Sequence, residues 1–408
     1  MATPQGCTIS TDKYELYERE EEMNAFQYEY PVKVYFGDGA AEEALAQELP
    51  KYGNTVMLAY GGGSIKRNGI FEELNAILKD AGKRIVEFSG IMSNPTYAKV
   101  QEGAALARRE KVDLILAVGG GSVIDACKII SAQARTDEDI WTLEYEKHGA
   151  PEDFIPTGAI VTAFGTGAEM NNGAVITNED KKEKSPLFGS FHSFAVLEPR
   201  YTMTLPMSQV ISGSFDTLSH CMETYLGTPR EGNLSDEMNE AVMRSVIRNI
   251  RETLKSPEDE NVRSELIWAA AMAENGILKI GKVTDFQCHM LEHQLGAYTD
   301  CNHGRGLAVI HPVLYRHIYK DAPEQFARLA VNVFGVDPER KTTEETALEG
   351  IQALADFIRE IGLPATFAEM GITEDDFFPE IARTTIRTGG CAKKLSDQEL
   401  LEILQECR

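Results

Sequence analysis

Positive charge is scarce in this sequence. Its 40 Lys and Arg face 64 Asp and Glu, and the resulting net charge of −24 repels both a phosphate backbone and an anionic bilayer. Neither nucleic acid nor membrane is therefore expected as a partner. Long apolar runs are missing as well: none approaches the roughly 20 residues that span a bilayer, and the first residues lack the apolar core of a secretory signal. The expected compartment is the cytoplasm. The seven cysteines, Cys7, Cys127, Cys221, Cys288, Cys301, Cys391 and Cys407, are odd in number and scattered, with no Cys-x-x-Cys pair, which argues against a disulfide framework or a zinc knuckle. Internal repeats and low-complexity segments are absent. With 43% hydrophobic and 25% charged residues over 408 positions, the composition is that of a globular protein large enough for two domains. Histidine is rare, at 8 residues.

Several of those few histidines fall on purposeful spacings. Asp216 and His220, in Phe-Asp-Thr-Leu-Ser-His, stand four apart and share a face if helical. His289 opens His-Met-Leu-Glu292-His293, and His303, followed by Gly304, comes ten residues after His293. Asp216, His220, His289 and His303 together form an oxygen-and-nitrogen set that suits Fe(II) or Zn(II) and leaves room for a substrate oxygen, so one divalent metal able to polarise an alcohol or carbonyl is expected. Cys221, Cys288 and Cys301 lie near these positions as rival thiolate ligands.

The chain changes texture near Leu205-Pro206. Before it, β-rich runs at Thr55–Tyr60, Arg84–Phe88, Val112–Val118, Gly158–Ala163 and Phe194–Leu197 alternate with helical stretches, the pattern of a parallel sheet wrapped by helices. After it, helical periodicity continues to Arg408. The expected layout is a polar extension at 1–22, an α/β dinucleotide-binding domain at 23–205 and an all-α metal-binding domain at 206–408. Glycine placement indicates what the sheet binds. The run 112–118 leads into Gly119-Gly120-Gly121-Ser122 and then a helical stretch, and the run ending at Tyr60 leads into Gly61-Gly62-Gly63-Ser64. Strand, glycine turn and helix make a phosphate cradle of bare amides at a helix N-terminus, and two such turns fit a dinucleotide. Ser64, Lys66 and Arg67 after the first turn welcome a 2′-phosphate, which favours NADP(H) over NAD(H).

These residues resemble the iron-containing (group III) alcohol dehydrogenases, and within them the NAD(P)H-dependent butanol dehydrogenase subgroup. The likeness runs from Tyr30–Gly37 to the C-terminal helices and rests on Tyr60–Gly69, Asn94-Pro95, Gly119–Ser122 with Asp125 and Lys128, Gly165–Glu169, and both histidine motifs. It implies a dehydroquinate synthase-like architecture and a metal held in the cleft by Asp216, His220, His289 and His303. It implies His293 as a further cleft histidine that relays a proton or holds substrate. Cofactor contacts are implied at Gly62, Gly63, Ser64, Asn94, Gly119, Gly120, Gly121, Ser122, Val123, Thr162, Thr166 and Leu205, with the ribose-binding lysine at Lys182 and Lys181 and Lys184 close by. The implied activity is hydride transfer between a nicotinamide and short-chain primary alcohols or aldehydes, in an enzyme expected to be a homodimer. Three positions depart from the family's habit: Glu198 for aspartate before Pro199, Asn302 for proline before His303-Gly304, and Ala168 for serine.

Two other enzyme classes share parts of this pattern. A metal-dependent lyase similar to dehydroquinate synthase uses the same architecture, but its acidic substrate calls for a basic cluster that this composition does not favour. His289-Met-Leu-Glu292-His293 also reads as His-x-x-Glu-His, the inverted zinc-peptidase motif, in which both histidines bind zinc and the glutamate is the base. That reading leaves Asp216, His220, His303 and both glycine turns unexplained. A non-catalytic metal or nucleotide binder remains the plain alternative, and it would bind cofactor without oxidising anything.

Overall fold

The computed structural model describes residues 24–230 and 232–408; the polar stretch 1–22 lies outside the described residues. Six strands, β1 (Lys33–Phe36), β2 (Thr55–Tyr60), β3 (Arg84–Phe88), β4 (Leu114–Gly119), β5 (Thr157–Val161) and β8 (Phe194–Leu197), form one sheet in the order β1-β8-β5-β4-β2-β3. Every pairing in it is parallel. A parallel sheet needs helices on both faces, and the side chains of β2 and β4 are buried throughout. Val56, Leu58, Leu114 and Leu116 pack with Leu45 and Leu74 from the helices Ala40–Glu48 and Ile70–Asp80. Met57, Ala59, Ile115 and Ala117 face the other way, into a core shared with Val100, Ile124 and Ile130 of the helices Tyr97–Glu110 and Gly121–Gln133. That second core continues into the C-terminal helices through Phe215, Leu218 and Leu266.

The remaining strands, β6 (Gly173–Asn178) and β7 (Glu183–Phe188), form a separate antiparallel hairpin. From Met207 onward the named elements are helical, beginning with Met207–Tyr225, Leu234–Lys255 and Glu260–Glu274 and including Gln287–Thr299 and His303–Ile318. The chain order sends β3 to one side of β2 and β4, then β5, to the other. This reversal opens a crevice at the carboxyl ends of β2 and β4, where the two glycine turns lie side by side. Glu198 takes a structural place in the fold: its buried carboxylate accepts from Ala41 N at 2.9 Å and Gly39 N at 3.3 Å, so it caps the first helix.

Candidate metal and nucleotide site

Three helices bring the expected ligands together. Met207–Tyr225 carries Asp216 and His220; Gln287–Thr299 carries His289, Glu292 and His293; His303 is the first residue of His303–Ile318. A Cβ at Gly304 would lie 2.1 Å from Ser212 O, so only glycine lets the third helix close onto the first. Asn302 caps that third helix, accepting from Arg305 N at 3.1 Å. The asparagine thus starts the helix by a side-chain bond.

Oδ1 of Asp216 stands 3.4 Å from Nε2 of both His289 and His303, and 3.8 Å from Nδ1 of His220. Asp216, His289 and His303 offer ligand atoms that all lie within 4.8 Å of one another. His220 stays outside this tightest group, its ring stacked on His289 with centroids 4.5 Å apart. Asp216 Oδ1, His220 Nδ1 and His289 Nε2 are buried without a hydrogen-bond partner. Each such atom costs about 1–3 kcal/mol when left unpaired, and a cation among them would satisfy all at once, so the residues fit a metal.

Carboxylates stand behind the imidazoles. His289 Nδ1 donates to Glu223 and His303 Nδ1 donates to Glu292, both fully buried, which turns each Nε2 toward Asp216 as the nitrogen that a metal would take in place of a proton. Burial alone would lower the His289 pKa, but Glu223 and Asp216 outweigh it and push it up to about 10. His303 is raised against its burial by Glu292 and Asp216. Asp216, despite burial, is held well below the usual carboxylate range by His220 and His303. The electrostatics of the cluster favour positive charge at its centre. His293 is different: burial, Lys184 and the neighbouring imidazoles hold its pKa well below the ordinary value, so it is neutral. Its ring centroid lies 5.4 Å from that of His303, and its Nδ1 is buried and unpartnered.

The inverted-peptidase arrangement is not formed, because Glu292 is turned onto His303 and Lys184 instead of standing free as a base. Thiolate coordination finds no support either. No cysteine joins a ligand group among the described residues, and burial, then Glu292, pushes the Cys301 thiol up to about 12.

On the nucleotide side, a Cβ at Gly121 would stand 2.4 Å from Thr166 Oγ1, so the bare backbone of the second turn is what seats it against the 165–167 loop. A Cβ at Gly62 would meet nothing within 4 Å, which leaves open space over the first turn. Gly63, with φ of 84°, turns the chain into the short helix that Ser64 begins. Gly119 O accepts from Thr162 N at 2.9 Å, Gly120 precedes the Gly121–Gln133 helix as its N-cap, Ser122 Oγ donates to Ser93 O, and Val123 is buried against Gly119. Asn94 reaches toward the histidine side, donating to Asp300 Oδ1 at 2.6 Å, and Leu205 packs half-buried on the core. Asp125 and Lys128 brace the region: Lys128 Nζ donates to Gly173 O at 2.6 Å and Asn171 Oδ1 at 3.0 Å, while Asp125 accepts from Val175 N at 2.9 Å. Thr217, beside Asp216, donates to Gly165 O at 3.2 Å and so ties the glycine-threonine loop to the helix of Asp216 and His220.

The three lysines separate clearly. Lys182 is exposed at the hairpin tip, its ammonium 5.6 Å above the Tyr298 ring, and Lys181 pairs with Glu146 at 3.3 Å. Lys184 is buried, with Nζ 3.5 Å from Glu292 Oε2. The structure thus brings Lys184, not Lys182, to the histidine cluster. Lys66 is paired with Glu87 at 2.5 Å, and Tyr60 donates to the same carboxylate. Glu223 and Glu87 are what sequence reasoning passed over, whereas Lys184 was among the three lysines it left undivided. Only Glu223 had a usable signal, since Asp216, His220 and Glu223 fall at i, i+4 and i+7 on one helix face.

Residues 31–199 match the family model for iron-containing alcohol dehydrogenase, and residues 210–407 match that for the Fe-containing alcohol dehydrogenase family, C-terminal. A probable NADH-dependent butanol dehydrogenase 1 of Bacillus subtilis (strain 168) is 38% identical over 389 residues, covering 94% of this chain and 99% of that protein. The NADPH-dependent aldehyde reductase YqhD of Escherichia coli (strain K12) is 34% identical over 358 residues, 86% of this chain and 90% of that one. Among solved structures, an NADH-dependent butanol dehydrogenase A from Thermotoga maritima superposes with a TM-score of 0.89 at 32% identity, covering 95% of this chain and 99% of that one.

Proposed function

Since this chain belongs to the iron-containing alcohol dehydrogenase family, we propose that it interconverts short-chain primary alcohols and aldehydes, of the butanol and butyraldehyde type, with a nicotinamide dinucleotide as hydride carrier. The observation that carries this reading is the convergence of Asp216, His289 and His303, with Asp216 Oδ1 and His289 Nε2 unpaired, beside two adjacent glycine turns. Asp216, His289 and His303, completed by His220, would hold Fe(II) or Zn(II). When bound, such an ion acts as a Lewis acid on the substrate oxygen. The chain's own residues do the rest. Glu223 and Glu292 keep the protons of His289 and His303 on Nδ1, so the opposite nitrogens stay available. The amides of Gly62–Ser64 and Gly119–Ser122 receive the pyrophosphate, with Val123, Thr162, Thr166, Asn94 and Leu205 lining the cofactor and a lysine of the β6–β7 hairpin at its ribose. His293 would hand a proton to or take one from the substrate oxygen, a role supported by its neutral ring and partnerless Nδ1.

Ser64 and Arg67 support NADP(H) over NAD(H); Lys66, engaged by Glu87, supports it less than the sequence alone suggests. We also read 23–205 and 206–408 as the nucleotide and metal domains of a homodimer subunit. The deciding experiment follows NADPH and NADH consumption with butyraldehyde, using enzyme loaded with Fe(II) or Zn(II) against a chelated control. Metal-dependent oxidation of either cofactor is expected. A folded, metal-loaded sample that oxidises neither would refute the short-chain aldehyde reading.

A further inference from the structure

Glu292 is wholly buried, yet its carboxylate has two cationic or potentially cationic neighbours from opposite sides of the cleft. Oε2 accepts from His303 Nδ1 and lies 3.5 Å from Lys184 Nζ, while Oε1 lies 3.6 Å from Cys301 Sγ. Glycines give it room: a Cβ at Gly306 would stand 2.8 Å from Glu292 Cγ, and one at Gly296 would stand 3.1 Å from Lys184 Nζ. His303 and Glu292 belong to the metal-side helices. Lys184 belongs to the β6–β7 hairpin, which Lys128 fastens to the helix behind the second glycine turn. One oxygen is therefore shared between a metal-ligand imidazole and a lysine anchored to the nucleotide side.

We propose that Glu292 is a positioning residue that couples metal binding to dinucleotide binding, by dividing one carboxylate between His303 and Lys184. The proposal rests on the reading that the site takes both a divalent metal and a nicotinamide dinucleotide. Engaging His303 through Nε2 makes its Nδ1–H a stronger donor, and Glu292 Oε2 is drawn toward it. Lys184 is then released from its buried partner and its ammonium can turn to ribose hydroxyls or phosphate in the cleft. Because binding free energies are linked, dinucleotide binding must strengthen metal binding by the same factor.

The test is a set of fluorescence titrations giving the Kd of NADPH and of NADH, each with Zn(II) and with chelator, for the native protein, Glu292→Gln and Lys184→Met. Glu292→Gln keeps the shape and an acceptor for His303 but removes the charge that binds Lys184. In the native protein Zn(II) should tighten the preferred dinucleotide by at least about 5-fold. In both variants the ratio should fall to within about twofold of unity, while circular dichroism and melting remain cooperative. A purely structural Glu292 would change stability and leave the ratio alone. Should Glu292→Gln fail to fold, Lys184→Met cuts the same pair from its other end. A native ratio of unity, or an unchanged ratio in a folded variant, overturns the coupling alone; a native protein that binds neither dinucleotide overturns the proposed function, and the coupling with it.

Discussion

At the scale of single residues, burial decides the chemistry of the charged groups. Glu169 closes the glycine-threonine loop and is almost inaccessible. Burial raises its pKa to about 7, with Lys128 opposing the rise and Asp125 and Glu274 adding to it. A carboxyl whose folded pKa exceeds its ordinary 4.5 binds its proton more tightly in the folded state, so its stabilising contribution is complete below pH 4.5 and is lost as pH rises through 7. Glu169→Gln, which cannot ionise, should therefore be more stable than the native protein by up to about 3 kcal/mol near pH 8, and the gap should narrow toward about pH 5. Denaturant unfolding at the two pH values measures this; a gap of equal size at both would mean that Glu169 does not ionise in that window. The same scale explains why Glu292 is a poor catalytic base here. Its carboxylate is already committed to His303 and Lys184.

At the scale of elements, the helices place ligands by their ends as much as by their faces. His303 is the first helical residue, so its position depends on the Asn302 cap. Asn302→Ala should cost about 1 kcal/mol of stability and weaken metal binding, because the first turn frays where the ligand sits. Melting in chelator and a competitive metal titration check both parts; unchanged metal affinity would show that Gly304 packing on Ser212 alone fixes the turn. Strands were legible to different degrees for physical reasons. β2 and β8 coincide with the runs 55–60 and 194–197, because strands buried on both faces carry few polar side chains, and β3 coincides with 84–88 as an edge strand whose Arg84 and Glu87 are exposed. β4 starts at Leu114 and not at Val112, since Asp113 accepts from Thr55 N at 2.9 Å and spends its residue on the turn. In the β6–β7 hairpin only β6, with Ala174-Val-Ile-Thr177, carries such a signal, whereas β7, Glu-Lys-Ser-Pro-Leu-Phe, is half polar and contains a proline tolerable only outside a central strand.

At the scale of the whole molecule, the proposed metal site joins three helices that are separate in sequence, so metal binding there should act on global stability. Zn(II) at about a thousand times its Kd should add roughly 4 kcal/mol to the unfolding free energy, and chelator should reverse it. Thermal melts with and without metal provide the measurement, with Asp216→Ala as the control that should show no shift. Equal metal-induced shifts in both proteins would place the ion elsewhere. No helix among the described residues is long and apolar enough to cross a membrane, in keeping with the absence of long apolar runs.

Local pattern is what the sequence determined by itself. Asp216 and His220 four apart, two glycine turns after apolar runs, and a change from alternating to helical texture all depend on neighbours within one or two turns of chain, and periodicity records such neighbours directly. Residue type and motif spacing also singled out His289 and His303, and the family resemblance then supplied the role of His293. Tertiary structure decided which groups stand behind the imidazoles and which lysine enters the cleft. Glu223 meets His289 across 66 residues, and Gln294, two residues after Glu292, donates to Lys184 O across 110. Contacts over such separations depend on how helices pack, and packing leaves no fixed spacing in a sequence.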